Sequence, residues 1–350
     1  MQTFIPMQMQ NHINRQQPAN RAPFWRTKMK TSAFTYFLFP FLVFLGGCCF
    51  GPSSSVIKLA YEAGFSAETV LFTQYVFSVL FMLLLSAGYF IFSLVRKNRK
   101  EKTVYRAKDI IKLVLIGICI ALISLNYVFA LQTIPAHLAV ILLFQYTWMG
   151  IIAESVIKRK APSFPIVLSV VILIGATLLA SGVGSVPLEG ISIQGIVFGL
   201  LSAAAYAAYI QLNASLDNGM TPAYRSLATL AVALLLITIV FTPYYFAPEF
   251  IADVVFGKDL WIFGLILGSF GCALPNILFA IGAPKIPAGS GTILSSSELP
   301  ASIICAVIII SEAVTALQWI GVALLFFGIA LPYLVEILRK RHKNMPLPQH

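Results

Sequence analysis

Long apolar runs alternate with short polar segments along almost the whole chain. Ten runs each hold close to the ~20 residues that an apolar α-helix needs to cross a hydrocarbon core about 30 Å thick. We therefore predict an all-α integral membrane protein with ten transmembrane helices. The predicted spans are residues 33–57, 68–94, 108–131, 136–157, 163–181, 190–211, 222–247, 257–282, 287–311 and 315–338.

A short pattern occurs twice, at the start of the fourth and ninth spans. Ile-Pro-Ala, four residues, then Ile-Leu begins at residue 134 and again at residue 286, 152 positions later. This duplication predicts two five-helix repeats, residues 33–181 and 190–338. Because five is odd, the second copy must enter the membrane from the opposite side. Such inverted repeats enclose a substrate site near the bilayer midplane in transporters.

Basic residues are concentrated in both tails and in every second loop. The formal net charge is +11, and 22 of the 24 Lys and Arg residues lie there, whereas Lys58 and Lys258 lie in the other loops. Because Lys and Arg favour the cytoplasmic side, we predict that both termini are cytoplasmic. The polar tail 1–32 is predicted to be disordered. Residues 339–350 form a basic C-terminal tail.

Composition excludes several other classes of protein. Charged residues make up 11% of the chain, against about 25% in soluble domains. The basic residues flank apolar helices, so we predict no nucleic-acid partner. The five cysteines lie inside apolar runs without a CxxC pair, which indicates packing rather than a metal site. We find no nucleotide-binding or catalytic motif, and we predict no cofactor and no enzymatic activity.

Glu298 is the strongest candidate for a functional residue, because the predicted span places it in the middle of the ninth helix. A charged carboxylate at that depth costs ~3 kcal/mol even on lenient insertion scales, so it should face a cavity or a partner. Spacings of four and three place it on one helical stripe with Gly291, Ser295, Ser302 and Cys305. Proton coupling and binding of a substrate amine are the functional interpretations. A protonated glutamate that joins two helices is the structural alternative.

Polar and aromatic residues on other helices can complete a site. On the fourth helix, Gln145 could hold a polar group of a substrate while Trp148 packs against its apolar part. An interhelical hydrogen bond with core aromatics explains the same residues. The predicted substrate-binding set is Glu298, Gln145, Trp148, Asn126, Tyr127, Ser295 and Asn276.

These residues and motifs resemble bacterial EamA-domain proteins of the drug/metabolite transporter superfamily. The resemblance rests on the ten helices, the two Ile-Pro-Ala openings, and residues 293–300 and 318–328. It implies a multi-pass carrier in the cell (cytoplasmic) membrane that moves small metabolites, commonly amino acids and their derivatives. It also implies a cavity lined by helices 1, 3, 4, 6, 8 and 9. Gln74 and Tyr75 depart from the family, because many relatives have an arginine on helix 2.

We therefore expect a secondary transporter that exports a small metabolite by alternating access. The alternatives are an importer or facilitator, a channel, and a membrane-embedded enzyme that modifies lipids. The small-residue pairs Gly195/Gly199 and Gly264/Gly268 favour close helix packing, either within one subunit or in a homodimer.

Overall fold

A computed structural model describes residues 33–95, 107–182, 192–216, 220–257 and 259–343. The chain divides into two units after residue 36, and of the first unit only the helical residues 33–36 are described. The predictions for the tail 1–32 and for residues 344–350 lie outside the described residues. The described helices are α1 (Ala33–Glu62), α2 (Ala67–Val95), α3 (Ala107–Leu131), α4 (Ala136–Leu143), α5 (Tyr146–Lys158), α6 (Phe164–Ala180), α7 (Ile193–Ser215), α8 (Pro222–Val240), α9 (Pro248–Phe256), α10 (Leu260–Gly268), α11 (Leu274–Gly282), α12 (Ala288–Ser295), α13 (Glu298–Ile310) and α14 (Ala316–Lys343).

The helices have the lengths and the exposed apolar surface of a membrane protein. Within the described ranges, nine segments are long and apolar enough to cross a bilayer. The remaining predicted span is α6, whose 17 residues reach roughly 25 Å at 1.5 Å per residue. Large apolar side chains such as Leu84 and Phe164 are about three-quarters exposed, at 74% and 76%. The prediction of an all-α integral membrane protein is confirmed.

Two predicted spans are each interrupted by a short turn, at matching places, inside one membrane-length segment. The fourth span consists of α4 and α5 with a break at Phe144 and Gln145, and the ninth of α12 and α13 with a break at Ser296 and Ser297. Gln145 and Ser297 both have φ −61° and ψ −16°. Their backbone N–H groups donate to carbonyls three residues earlier, each at 3.1 Å, which tightens the chain at both breaks.

The ends of these two spans match as well. Pro135 has φ −59° and ψ 144°, and Pro287, 152 positions later, has φ −58° and ψ 140°. Arg159 ends the fourth span in the left-handed region at φ 50°, and Ser311 ends the ninth at φ 54°. The two spans therefore have matching backbone angles at their starts, their breaks and their ends. The full five-plus-five arrangement remains a prediction.

The seventh and eighth spans also differ from the predicted pattern. Helix α8 ends at Val240, and a 3-10 turn over Thr242–Phe246 and the short helix α9 follow it. A π-helical turn over Ser269–Ala273 separates α10 from α11. Pro275 follows that turn and lacks the N–H that a regular helix would use, and π-turns are frequent at functional sites.

Both small-residue pairs bring helices together within the subunit. A Cβ atom on Gly268 of α10 would lie 2.8 Å from the Gln74 carbonyl oxygen of α2. On α7, a Cβ atom on Gly199 would lie 2.8 Å from the Cβ atom of Leu142 of α4. Only glycine permits these approaches.

We expect Gly268→Ala to destabilise the protein by ~1–3 kcal/mol, because the added methyl group meets backbone rather than a flexible side chain. Gly175→Ala on α6 is the matched control, since its Cβ atom would meet nothing within 4 Å. Thermal unfolding of both purified variants in detergent measures the difference. Equal unfolding temperatures would contradict the close packing of α10 on α2.

Candidate functional site

A cavity of about 200 Å³ lies between the transmembrane helices. Its walls come from α1, α2, α3, α4, α7, α11, α13 and the π-helical turn. Helix α2 is an addition to the helices that the resemblance implied. It contributes Gln74 and Tyr75.

The cavity lies toward one end of the helices, which we call the mouth end. At this end α3 ends and α2 begins, and they are joined by a hydrogen bond of 3.1 Å from Gln132 Nε2 to Glu68 Oε1. Lys58, near the end of α1, forms an exposed ion pair of 3.8 Å with Glu312, just after α13. The lining residues of α1 and α3 lie in the halves of those helices nearer this end, and Ser54 of α1 is exposed.

Glu298 lies in the cavity wall as the first residue of α13, directly after the helix break. Among the described residues, Tyr206 of α7 is the hydrogen-bond donor to this carboxyl group, with 3.2 Å between Tyr206 Oη and Glu298 Oε2. The Tyr206 ring packs on Tyr146 with centroids 4.3 Å apart. Tyr146 is the first residue of α5, 152 positions before Glu298, and its hydroxyl donates to Ser296 Oγ at 3.4 Å. The two breaks therefore meet through one tyrosine pair beside the carboxyl group.

Three of the seven predicted site residues line this cavity. They come from three different helices, α3, α11 and α13, and only their fold brings them together. They are Tyr127, Asn276 and Glu298.

The other four predicted residues do not line the cavity and are bonded elsewhere. Trp148 Nε1 donates to Gln145 Oε1 at 2.8 Å, and Gln145 Nε2 donates to the Ile141 carbonyl at 2.9 Å. Asn126 Nδ2 donates to a carbonyl of its own helix at 2.7 Å. Ser295 is fully buried and donates to a carbonyl of α12 at 2.9 Å. Because α12 ends at Ser295, the predicted stripe through Ser295 and Glu298 does not continue across the break.

A proline at position 300 removes the hydrogen bond that a regular helix would make to the Ser296 carbonyl. Pro300 lies in the first turn of α13, where a missing N–H costs little. The Ser296 carbonyl accepts a hydrogen bond of 3.3 Å from the Leu299 N–H. The proline is therefore accommodated without an unpaired acceptor at that position.

Several lining residues were missing from the predicted set. Tyr206 and Tyr209 form a pair on α7, spaced by three residues among alanines, and that spacing could have pointed to an aromatic face on a helix of small residues. The Tyr75 hydroxyl lies 2.7 Å from Ser124 Oγ. Gln74 Nε2 donates to Cys272 Sγ at 3.1 Å. These side chains join α2 to α3 and to the π-helical turn across the cavity wall.

A carboxylate joins two spans at the opposite end, which we call the floor end. Glu154 forms an ion pair with Lys158, four residues later on α5. The second Glu154 oxygen also accepts a hydrogen bond of 2.7 Å from the Gly289 N–H, at the start of α12. A negative charge is stabilised at a helix N-terminus by the unpaired N–H groups there. Glu154 thus connects the fourth and ninth spans at the floor end.

Arg225 of α8 strengthens the floor end, although its sequence position indicated only a topological charge. It is buried, at 3% exposure, and donates to the Leu216 carbonyl at 2.8 Å and to the Asn213 carbonyl at 3.0 Å. A longer bond of 3.4 Å reaches the Ala280 carbonyl of α11. A guanidinium at the carbonyl ends of two helices is favourable, because those groups carry partial negative charge.

Residues 193–334 match the model of the EamA-like transporter family. The second half of the chain is therefore EamA-like. This match confirms the resemblance to EamA-domain proteins that the sequence motifs indicated. YwfM, an uncharacterised transporter of Bacillus subtilis (strain 168), is 24% identical to the chain over 180 residues.

Two coverage values define what these similarities support. The match to YwfM spans 51% of this chain and 58% of YwfM, so the chain matches little more than half of that relative's length. A solved crystal structure with a TM-score of 0.64 covers 87% of this chain and 98% of its own. Its sequence is 15% identical, so it shows the fold alone.

Cysteine labelling can test which side chains face the cavity. In a variant without the native cysteines, we expect Ser302→Cys to react with a water-soluble thiol reagent, because Ser302 lines the cavity. Ser295→Cys is the matched control on the same predicted stripe, and it should stay unlabelled because Ser295 is fully buried. Mass spectrometry of the labelled protein measures both. Equal labelling of the two variants would contradict the helix break and support one continuous helical face through Ser295 and Ser302.

Proposed function

We propose that the chain is a secondary transporter that exports a small metabolite, such as an amino acid or a derivative, across the cell membrane. The observation that carries this proposal is the Glu298 carboxyl group in a cavity wall between transmembrane helices, held by Tyr206 beside two matching helix breaks. A carboxyl group at membrane depth is costly, and such groups mark substrate and proton pathways. The EamA-like second half supports the same class of protein.

We further propose that residues 33–181 and 190–338 are inverted repeats that exchange roles during alternating access. The matched angles of Gln145 and Ser297 support a common origin for the fourth and ninth spans. The floor end is closed by the Glu154 contact with α12, whereas the lining residues lie toward the mouth end. Export requires the floor end to open, and the two breaks are places where short helices can tilt with little loss of hydrogen bonds.

The same proposal assigns the orientation of the protein. With both tails on the cytoplasmic side, the mouth end lies on the outer face and the floor end on the inner face. The conformation described here is then the one from which an exporter releases its substrate. An importer would use the same cavity in the opposite direction.

The residues have separate roles in this proposal. Glu298 binds a proton or a substrate amine, and Tyr127 and Asn276 contact the substrate. Gln145 and Trp148 position the first helix break, because their side chains bond to each other and to the end of α4.

We expect Glu298→Gln to lower substrate flux in proteoliposomes at least tenfold, because loss of one buried charged partner commonly costs more than 1.4 kcal/mol. Glu62→Gln at the exposed end of α1 is the control and should keep the original rate. The measurement is the flux of a labelled metabolite through the purified protein. The metabolite is chosen as one that accumulates in the medium of overexpressing cells. Unchanged rate and unchanged pH dependence in Glu298→Gln would remove Glu298 from the mechanism.

A further inference from the structure

We propose that the cavity selects an organic cation, namely an amine or quaternary ammonium group attached to an aromatic or aliphatic part, without a carboxylate. This inference rests on the proposed function, because it concerns the substrate of the same cavity. It narrows the substrate class from amino acids and derivatives in general to those derivatives whose carboxyl group is absent or neutralised.

The charged side chains of the cavity wall favour a cationic ligand. Among the described lining residues, Glu298 is the one Asp or Glu, and Lys, Arg and His do not occur there. Tyr206 supplies one neutral hydrogen bond to the carboxyl group, which leaves the negative charge itself uncompensated. A carboxyl group away from bulk water is stabilised either by a proton or by an opposite charge nearby. A ligand cation supplies that charge.

The cations near the cavity are already engaged with other groups. Lys58 lies at the mouth end and pairs with Glu312. Arg225 is bound to carbonyl oxygens and to Asn213 Oδ1, which lies 2.6 Å from its guanidinium nitrogen. Neither is among the lining residues. Glu298 is therefore the one charged side chain in the described cavity wall.

Aromatic rings in the cavity wall favour the same kind of ligand. The ring faces of Tyr and Phe carry partial negative charge and attract ammonium groups within about 6 Å of the ring centroid. Six rings line the cavity together with aliphatic side chains, so the apolar part of a ligand has walls to pack against. The six are Phe50, Tyr75, Tyr127, Phe144, Tyr206 and Tyr209.

The same cavity wall disfavours a carboxylate on the ligand. In an amino acid the carboxylate lies next to the ammonium group, so Glu298 would attract one end of the molecule and repel the other. Two neutral donors of the wall are occupied, since Gln74 donates to Cys272 and the Tyr75 hydroxyl pairs with Ser124. Repulsion of an unwanted group is a general source of specificity.

Three probes with the same phenyl ring separate the charge classes: phenethylamine is a cation, phenylalanine a zwitterion and phenylacetate an anion. Binding is measured by calorimetry with the full-length protein in lipid nanodiscs. We expect phenethylamine to bind at least tenfold more tightly than the other two. Glu298→Gln should weaken phenethylamine binding at least tenfold, because the charge is lost, and Glu298→Asp should restore part of the affinity. Glu62→Gln should bind like the original protein.

Equal or tighter binding of phenylalanine or phenylacetate would overturn the proposal, and so would the absence of phenethylamine binding. Equal phenethylamine affinity in the original protein and Glu298→Gln would overturn it as well. Flux measured with the same probes separates this inference from the proposed function. Flux of phenylalanine without flux of phenethylamine keeps transport and rejects the cation class. Binding of phenethylamine through Glu298 without flux of any probe keeps the cation class and rejects transport.

Discussion

The hydrocarbon core supplies no water to a free backbone carbonyl, and this constraint governs both helix breaks. At each break the backbone tightens, and a side chain of the break donates a hydrogen bond to a backbone carbonyl. Gln145 Nε2 donates to the Ile141 carbonyl at the first break. At the second, Ser297 Oγ donates to the Phe44 carbonyl of α1 at 2.7 Å. The breaks are thus held by specific hydrogen bonds, and the second one directs Glu298 into the cavity.

The spans were predictable because hydrophobic length is a direct consequence of bilayer thickness. The starts of the fourth and ninth spans were predictable from Pro135 and Pro287, since proline fits the first turn of a helix. The breaks were not, because Phe144-Gln145 and Ser296-Ser297 contain neither glycine nor proline. Their geometry depends on partners in distant helices, such as Phe44 of α1.

The candidate site was predictable in part for the same reason. The depth of Glu298 follows from the span boundaries, and a carboxyl group at that depth indicates a cavity without knowledge of the fold. Ser295 was assigned to the cavity by a helical periodicity that the break interrupts. Tyr206 donates to Glu298 across 92 sequence positions, and no local pattern encodes that contact.

The central claim is that the two broken spans open the floor end and the mouth end in turn. Double electron–electron resonance in lipid nanodiscs measures this directly, with spin labels at Ile157 and Lys285 across the floor end and at Ala63 and Ala136 across the mouth end. The account predicts two distances for each pair, with the floor pair lengthening as the mouth pair shortens when the pH is lowered or phenethylamine is added. A floor pair that keeps one distance under all of these conditions would contradict the account.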